Sequence, residues 1–291
     1  MVRGCCRQHV QAGKSPIDSR SKAGLNTRMS GSNSSPSLRL NKAIAACGLC
    51  SRRKADDLIA QGRVTVNNVV VQEMGLKIDP DADRIEVDGR LLTVRKGADQ
   101  NHVYILLHKP VRVVSTARDP QARTTVVDLL PPDLLQRRPV PVGRLDYFSE
   151  GLLLLTTDGE LVHRLTHPKW HVPKVYKVLV RGRVTQAKLQ PMRNGMRLAE
   201  GERLAPVQVS MEPAGKDTAW LSLRLVQGIN RQVRRMCRDL DLTVLKLIRV
   251  QEGPIFLGNL PPGNVRELTP QEIRALHREV GLEPEPSVPD P

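Results

Sequence analysis

Helical and extended periodicities take turns along this chain. Leu38, Leu40, Ala43, Ile44 and Cys47 follow helical spacing, and Gly48 stops the turn. Ser51 can cap a second helix, whose apolar side is Ala55, Leu58 and Ile59 and which Gly62 ends. The period then changes. Val64-Thr65-Val66, Asn67-Asn68 and Val69-Val70-Val71 read as a hairpin, with Arg84-Ile85-Glu86-Val87 and Leu91-Leu92-Thr93-Val94 as short strands. Together these predict a small α/β module over residues 38–97.

Residues 101–280 mix the two patterns at larger scale. His102 to His108 reads as a buried strand, and Leu152 to Leu155 is an apolar run of strand length. Lys174 to Val180 alternates Tyr176, Val178 and Val180 against Val175, Lys177 and Leu179, and Trp220 to Leu225 puts Leu221, Leu223 and Leu225 on one face. Asp158 to Leu165 reads as a capped helix ended by Pro168. In Asn230 to Leu240, Val233, Met236, Cys237 and Leu240 follow i, i+3, i+4, i+7. Arg231, Arg234, Arg235 and Arg238 repeat that spacing about 200° around the helix. One face packs, and the other is an arginine stripe with no interleaved acid, which points to phosphate contacts or to partners for a buried carboxylate. Strands in runs with intervening helices, without regular βαβ spacing, predict an α+β fold with a mixed, mainly antiparallel sheet.

Charge narrows the class of partner. The 291 residues carry 45 Lys and Arg against 30 Asp and Glu, a formal net charge of +15. Such an excess favours a polyanion, nucleic acid before membrane. No apolar run approaches the roughly 20 residues of a spanning helix, so a soluble, cytoplasmic protein is expected. Five cysteines make no disulfide framework: Cys5 and Cys6 are adjacent, and Cys47 and Cys50 form a C-x-x-C without a second ligand pair, so packing is preferred over zinc. Asp79, Asp81, Asp83, Glu86 and Asp88 fail as a calcium loop, because Arg84 stands where Gly is needed and Arg90 where Glu is needed. His163, His167 and His171 have metal-like spacing, but Pro168 interrupts the helix, so turn and groove roles are preferred and no metal is expected. Residues 1–37 read as a disordered basic extension, with Met29 an alternative start, and 281–291 as a disordered Pro-rich tail.

Within this basic frame, Ser51-Arg52-Arg53-Lys54 places three cations at a helix start, where the macrodipole disfavours them unless phosphate is the partner. This stretch, through Gly62-Arg63-Val64-Thr65-Val66-Asn67, resembles the small RNA-binding fold of a small-subunit ribosomal protein. Farther on, Gly143-Arg144-Leu145-Asp146 precedes Ser149-Glu150-Gly151 and its leucine run. Taken with His108-Lys109-Pro110, with Leu165-Thr166-His167-Pro168 before Lys174-Val175-Tyr176, and with Gly228-Ile229-Asn230-Arg231-Gln232-Val233-Arg234-Arg235-Met236, these segments resemble the RNA pseudouridine synthases that carry such an RNA-binding module. The likeness spans about residues 38–275. One departure is Lys109-Pro110-Val111-Arg112, where the family usually has Lys-Pro-x-Gly; losing that Gly is expected to alter a turn beside the site.

The resemblance implies isomerisation of uridine to pseudouridine, in which the base leaves the ribose, turns, and reattaches through carbon without a cofactor. It implies Asp146 as the essential carboxylate, acting as nucleophile or as base on the ribose. Arg234 would pair with it and Tyr176 would stack on the extruded base. The blander readings are a loop-capping Asp146, a core Tyr176 and a surface Arg234. Lys42, Arg52, Arg53, Lys54, Arg63, Lys109, Arg144, Asn230, Arg231, Gln232 and Arg235 are the expected RNA or loop contacts. Large-subunit ribosomal RNA is the favoured substrate, with a single-stranded loop uridine as the target and subunit precursors as further partners of a monomer. The alternatives are the small-subunit RNA, or an inactive RNA-binding assembly factor on the same scaffold.

Overall fold

A computed structural model describes residues 37–93 and 102–282. The expected N-terminal extension up to residue 36, the last residues of the first module from Val94 on, and the tail from residue 283 lie outside the described residues. The described residues fall into two compact units, divided between residues 95 and 96.

The first unit begins with β1 (Leu38–Arg39), followed by α1 (Leu40–Ala46) and α2 (Arg52–Ala60). Then come β2 (Val64–Val66), β3 (Val69–Val71), β4 (Lys77–Ile78), β5 (Ile85–Val87) and β6 (Arg90–Leu92). Leu38 extends the helical spacing in sequence but not in space: it pairs with Ile78, so α1 starts only at Leu40. Ser51 caps α2 through the Lys54 N–H, as its position predicts. Asn67 and Asn68 both take positive φ, which suits the tight turn between β2 and β3. The sheet runs β3-β2-β5-β6, and Leu40, Ala43, Ile44, Ala55, Leu58 and Ile59 pack on Val64, Ile85 and Val87.

The second unit continues with β7 (Tyr104–Lys109), α3 (Pro132–Gln136), β8 (Val140–Pro141), β9 (Glu150–Thr156), α4 (Gly159–Thr166) and β10 (Lys174–Arg181). After these come α5 (Gln186–Asn194), β11 (Gln208–Gly215), β12 (Thr218–Leu225), α6 (Gln232–Asp239), β13 (Thr243–Glu252), β14 (Ile255–Phe256), β15 (Val265–Glu267) and α7 (Pro270–Glu279). The main sheet is ordered β11-β12-β10-β13-β9-β7-β15, with β14 on β13 and β8 on β9. Among the described residues, only its pairing of β13 with β9 is parallel, so the sheet is mixed and mainly antiparallel.

Both faces of this sheet are covered, which explains why Leu152 to Leu155 is apolar without alternation. Leu152 and Leu154 pack with Leu161 and Leu165 of α4 and Leu276 of α7. Leu153 and Leu155 point the other way, to Ile105, Leu107, Val126, Leu130 and Leu145. A third cluster joins Val178, Val180, Leu221 and Leu223 to Val233, Met236 and Cys237 of α6. The apolar stripe read from the sequence therefore seats α6 on the sheet, and burial pushes the Cys237 thiol up to about 12. Asp158 caps α4 through the N–H groups of Glu160 and Leu161, and α4 stops at Thr166 because the residue before Pro168 turns extended.

Candidate active site

Asp146 stands at the end of a loop whose neighbours are buried. Leu145 faces the core, and its backbone is pinned on both sides by Ser115: the Ser115 hydroxyl donates to the Leu145 carbonyl at 2.9 Å and accepts from its N–H at 3.1 Å. The next four residues form a turn, closed by the Ser149 N–H on the Asp146 carbonyl at 3.0 Å. The turn delivers the chain into β9 and leaves the Asp146 side chain 29% exposed, open on one side.

Two guanidinium groups from the start of α6 approach the same carboxylate oxygen. Arg231 Nη1 lies 3.5 Å and Arg234 Nε 3.8 Å from Asp146 Oδ2. The resemblance implies Arg234 as the partner, and the structure adds Arg231 at least as near. Arg231 holds a left-handed φ of 51° at the N-cap of α6, a conformation that costs on the order of 1–3 kcal/mol in a non-glycine residue. Arg234 is fixed through Nη2, which donates to the Phe148 carbonyl at 2.7 Å and the Ser149 hydroxyl at 3.2 Å. Burial and the neighbouring Arg231 lower the pKa of Arg234, and Asp146 opposes them. The N-terminal end of α6 adds its own positive field at the carboxylate.

Tyr176 is brought to this region by strand register. On β13, Arg249 pairs with Tyr176 of β10 on one side and with Gly151 of β9 on the other. Two strand spacings, about 10 Å, thus separate the tyrosine backbone from the strand that Asp146 introduces. The Tyr176 ring is half-buried between two apolar clusters, and burial raises its hydroxyl pKa, so the phenol stays protonated at neutral pH.

Sequence reasoning missed Arg249 and Glu252. Both are buried, with Arg249 Nη2 3.1 Å from Glu252 Oε2 and Lys174 Nζ 3.5 Å from Glu252 Oε1. Arg249 Nε donates to the Leu152 carbonyl at 2.8 Å, and its charge acts on the neighbouring Tyr176. Burial works to lower the Arg249 pKa, but Glu252 and Tyr176 outweigh it and the net direction is up. The available signal was an arginine on the same face as buried Leu247 of an alternating strand. Gly151 belongs to the same contact: at φ 111°, a Cβ there would lie 2.3 Å from the Arg249 carbonyl oxygen, so only glycine permits the close approach of β9 to β13.

Several expected RNA contacts are occupied elsewhere. Lys109 is fully buried, and its ammonium donates to the carbonyls of Pro110, Asp146 and Ser149 at 2.9, 3.2 and 2.8 Å. It is a clamp under the Asp146 turn, not a groove cation. Burial lowers its pKa to about 8 against the opposing pull of Asp146 and Glu150. Gln232 is buried too, with its side-chain oxygen on the Ile229 N–H. Arg235 pairs with Glu200 at 2.8 Å and Glu202 at 2.6 Å, and Arg238 with Glu200 and Asp239 at 2.7 Å each. The arginine stripe is therefore split: its first half faces Asp146, and its second half is neutralised by carboxylates. Arg144, Asn230 and Arg231 remain exposed. Arg112 keeps the turn that the missing glycine would have made, by taking φ 64° itself, and its N–H donates to the Tyr147 carbonyl at 2.6 Å.

In the first unit, Arg52, Arg53 and Lys54 project from the first turn of α2 and are exposed, and Lys42 is half-buried. Arg63 is exposed but engaged by Asp88 in a two-pronged pair at 2.8 and 2.6 Å.

Comparison with known proteins follows this division of the chain. Residues 103–239 match the family model of RNA pseudouridylate synthase, and residues 38–85 match that of the S4 domain. The chain is 41% identical over 240 residues to the Ribosomal large subunit pseudouridine synthase B of Bacillus subtilis, covering 82% of this chain and 95% of that protein. It is 40% identical over 246 residues to an uncharacterized RNA pseudouridine synthase of Aquifex aeolicus, covering 84% and 96%. A crystal structure of a pseudouridylate synthase superposes with a TM-score of 0.58 at 31% identity, over 82% of this chain and 99% of that one.

Proposed function

Because the chain belongs to the RNA pseudouridylate synthase family, we propose that it isomerises one uridine of large-subunit ribosomal RNA, with Asp146 as the catalytic carboxylate. The observation that carries the assignment of Asp146 is its setting: an open carboxylate with Arg231 and Arg234 within 4 Å, on a turn fixed from beneath by Lys109. The reaction breaks the bond from ribose to the base nitrogen and forms one to a base carbon, so nothing is added or lost. An ionised carboxylate serves either as nucleophile at the ribose or as base on a ribose proton. The arginines supply the opposite charge, and the protonated Tyr176 phenol offers a ring face and a proton beside the turned base.

The large-subunit substrate is supported by the name of the Bacillus subtilis relative. The cations at the start of α2 suit a structured RNA, and a looped, single-stranded uridine suits an enzyme that must reach one base. The protein is read as a monomer acting in the cytoplasm, where ribosomal RNA and subunit precursors are met. Incubation with unmodified transcripts of the large- and small-subunit RNAs, followed by mapping of pseudouridine, tests the substrate. One modified position in the large-subunit transcript is expected. Modification of the small-subunit transcript alone would reassign the substrate, and modification of neither would remove ribosomal RNA from the account.

A further inference from the structure

Two aromatic rings follow Asp146 directly and are left uncovered. Phe148 is 61% exposed and Tyr147 38%, and the rings meet edge to face with centroids 5.0 Å apart. They occupy the two central positions of the Asp146–Ser149 turn, where Pro, Asp, Ser or Gly would ordinarily sit. The chain has only seven aromatic residues, so placing two at one exposed turn needs a reason.

The backbone under these rings is held at every residue. The Asp146 carbonyl accepts from Lys109 and from the Ser149 N–H, the Tyr147 carbonyl from the Arg112 N–H, the Phe148 carbonyl from Arg234, and the Ser149 carbonyl from Lys109. A turn so fixed presents its side chains at little further entropic cost. Exposed Arg112, Arg144 and Arg231 lie on the segments that meet at this turn, and they suit a phosphate backbone passing over it. A uridine turned out toward Asp146 leaves a gap in its strand, and apolar or aromatic side chains fill such gaps.

We infer that Phe148, braced by Tyr147, is a nucleobase-stacking element that takes up the base beside the target uridine. The inference rests on the proposed reaction at Asp146. It is specific to single-stranded RNA and to the faces of its bases, so it requires an aromatic ring and not merely an apolar one.

The test uses the full chain and a ribosomal RNA fragment containing the mapped uridine, with 2-aminopurine as the neighbouring base. Wild-type pseudouridine formation on the unlabelled fragment is measured first. Dissociation constants and 2-aminopurine fluorescence are then compared for wild type and for Phe148→Ala, Phe148→Leu and Phe148→Trp. The Ala and Leu variants are expected to weaken binding by roughly tenfold to hundredfold and to lose the fluorescence change, while the Trp variant keeps both. Because the ring is exposed, urea midpoints should match wild type, and this match separates stacking from misfolding. If wild type forms pseudouridine but the Ala variant binds within twofold, or Leu binds as well as Trp, the stacking role is wrong and the reaction stands. If wild type forms none, the reaction at this uridine and the inference fail together.

Discussion

Replacing Glu252 by Gln removes one charge from the middle of the second unit and almost no volume. Glu252 and Arg249 keep only 1% and 2% side-chain exposure at a separation of 3.1 Å, and Lys174 approaches the other carboxylate oxygen at 3.5 Å. Without the carboxylate charge, Arg249 is a buried cation with no anion beside it, held by the Leu152 carbonyl and facing the neutral amide oxygen of the new Gln. Breaking a buried pair in this one-sided way costs about 3–5 kcal/mol. Gln fills the same space, so no cavity adds to that figure. The lower end, about 3 kcal/mol or roughly a hundredfold in the folding constant, is expected, because the Leu152 carbonyl and the Gln amide oxygen can still accept from the guanidinium. Urea unfolding followed by tryptophan fluorescence reads this unit directly, since Trp170 and Trp220 both lie in it. Adding Arg249→Met to Glu252→Gln removes the orphaned charge and should recover most of the loss. A single variant within about 1 kcal/mol of wild type, or a double variant no better than the single, would mean that Glu252 does not compensate the Arg249 charge.

Arg112 and Asp158 give two further tests. Arg112→Gly relieves a left-handed residue at φ 64° and should raise the unfolding midpoint by about 2–4 °C, from about 1 kcal/mol of released strain, whereas Arg112→Val should lower it. Differential scanning calorimetry of both variants distinguishes this from a charge effect, because both lose the same cation. At Asp158, burial opposes ionisation, but His277 at 3.5 Å and hydrogen bonds from the Leu161 N–H and the Tyr104 hydroxyl hold the carboxyl pKa at about 2, below its ordinary 3.8. The stability this contributes is complete above the unfolded value and is lost as the pH falls from 3.8 toward about 2. Its size is roughly 2 kcal/mol. Asp158→Asn keeps a capping oxygen, so it should flatten the acid limb of the stability curve while α4 still forms; an unchanged acid limb would contradict the assignment.

What could be read from the sequence was what local spacing encodes. The apolar stripe of α6, the alternation of β10 and β12, the Asn67-Asn68 hairpin and the cap at Asp158 each depend on residues within a few positions of one another. Partners supplied from far away were not legible. Arg235 looks unpaired in its own helix and Arg238 has only Asp239 beside it, because Glu200 and Glu202 arrive from a loop more than thirty residues earlier. Lys109 reads as an exposed cation beside a proline until the Asp146 turn folds over it. Arg249 was hidden for a related reason. β13 exposes Leu245 and buries Arg249, an inversion of the usual pattern that makes sense only with Glu252 and Tyr176 in place. At the candidate site the family resemblance picked out Asp146, Arg234 and Tyr176. Register across β9, β13 and β10 relates the first and last of these, and that register is set by Gly151.

The role proposed for Asp146 is tested most directly on the RNA itself. Large-subunit ribosomal RNA lacking modification is incubated with wild-type protein, Asp146→Ala and Asp146→Asn, and pseudouridine is mapped by sequencing while RNA binding is measured in parallel. One modified uridine is expected with wild type, none with either variant, and dissociation constants for the variants within a few-fold of wild type. Wild-type levels of pseudouridine from either variant would contradict that role.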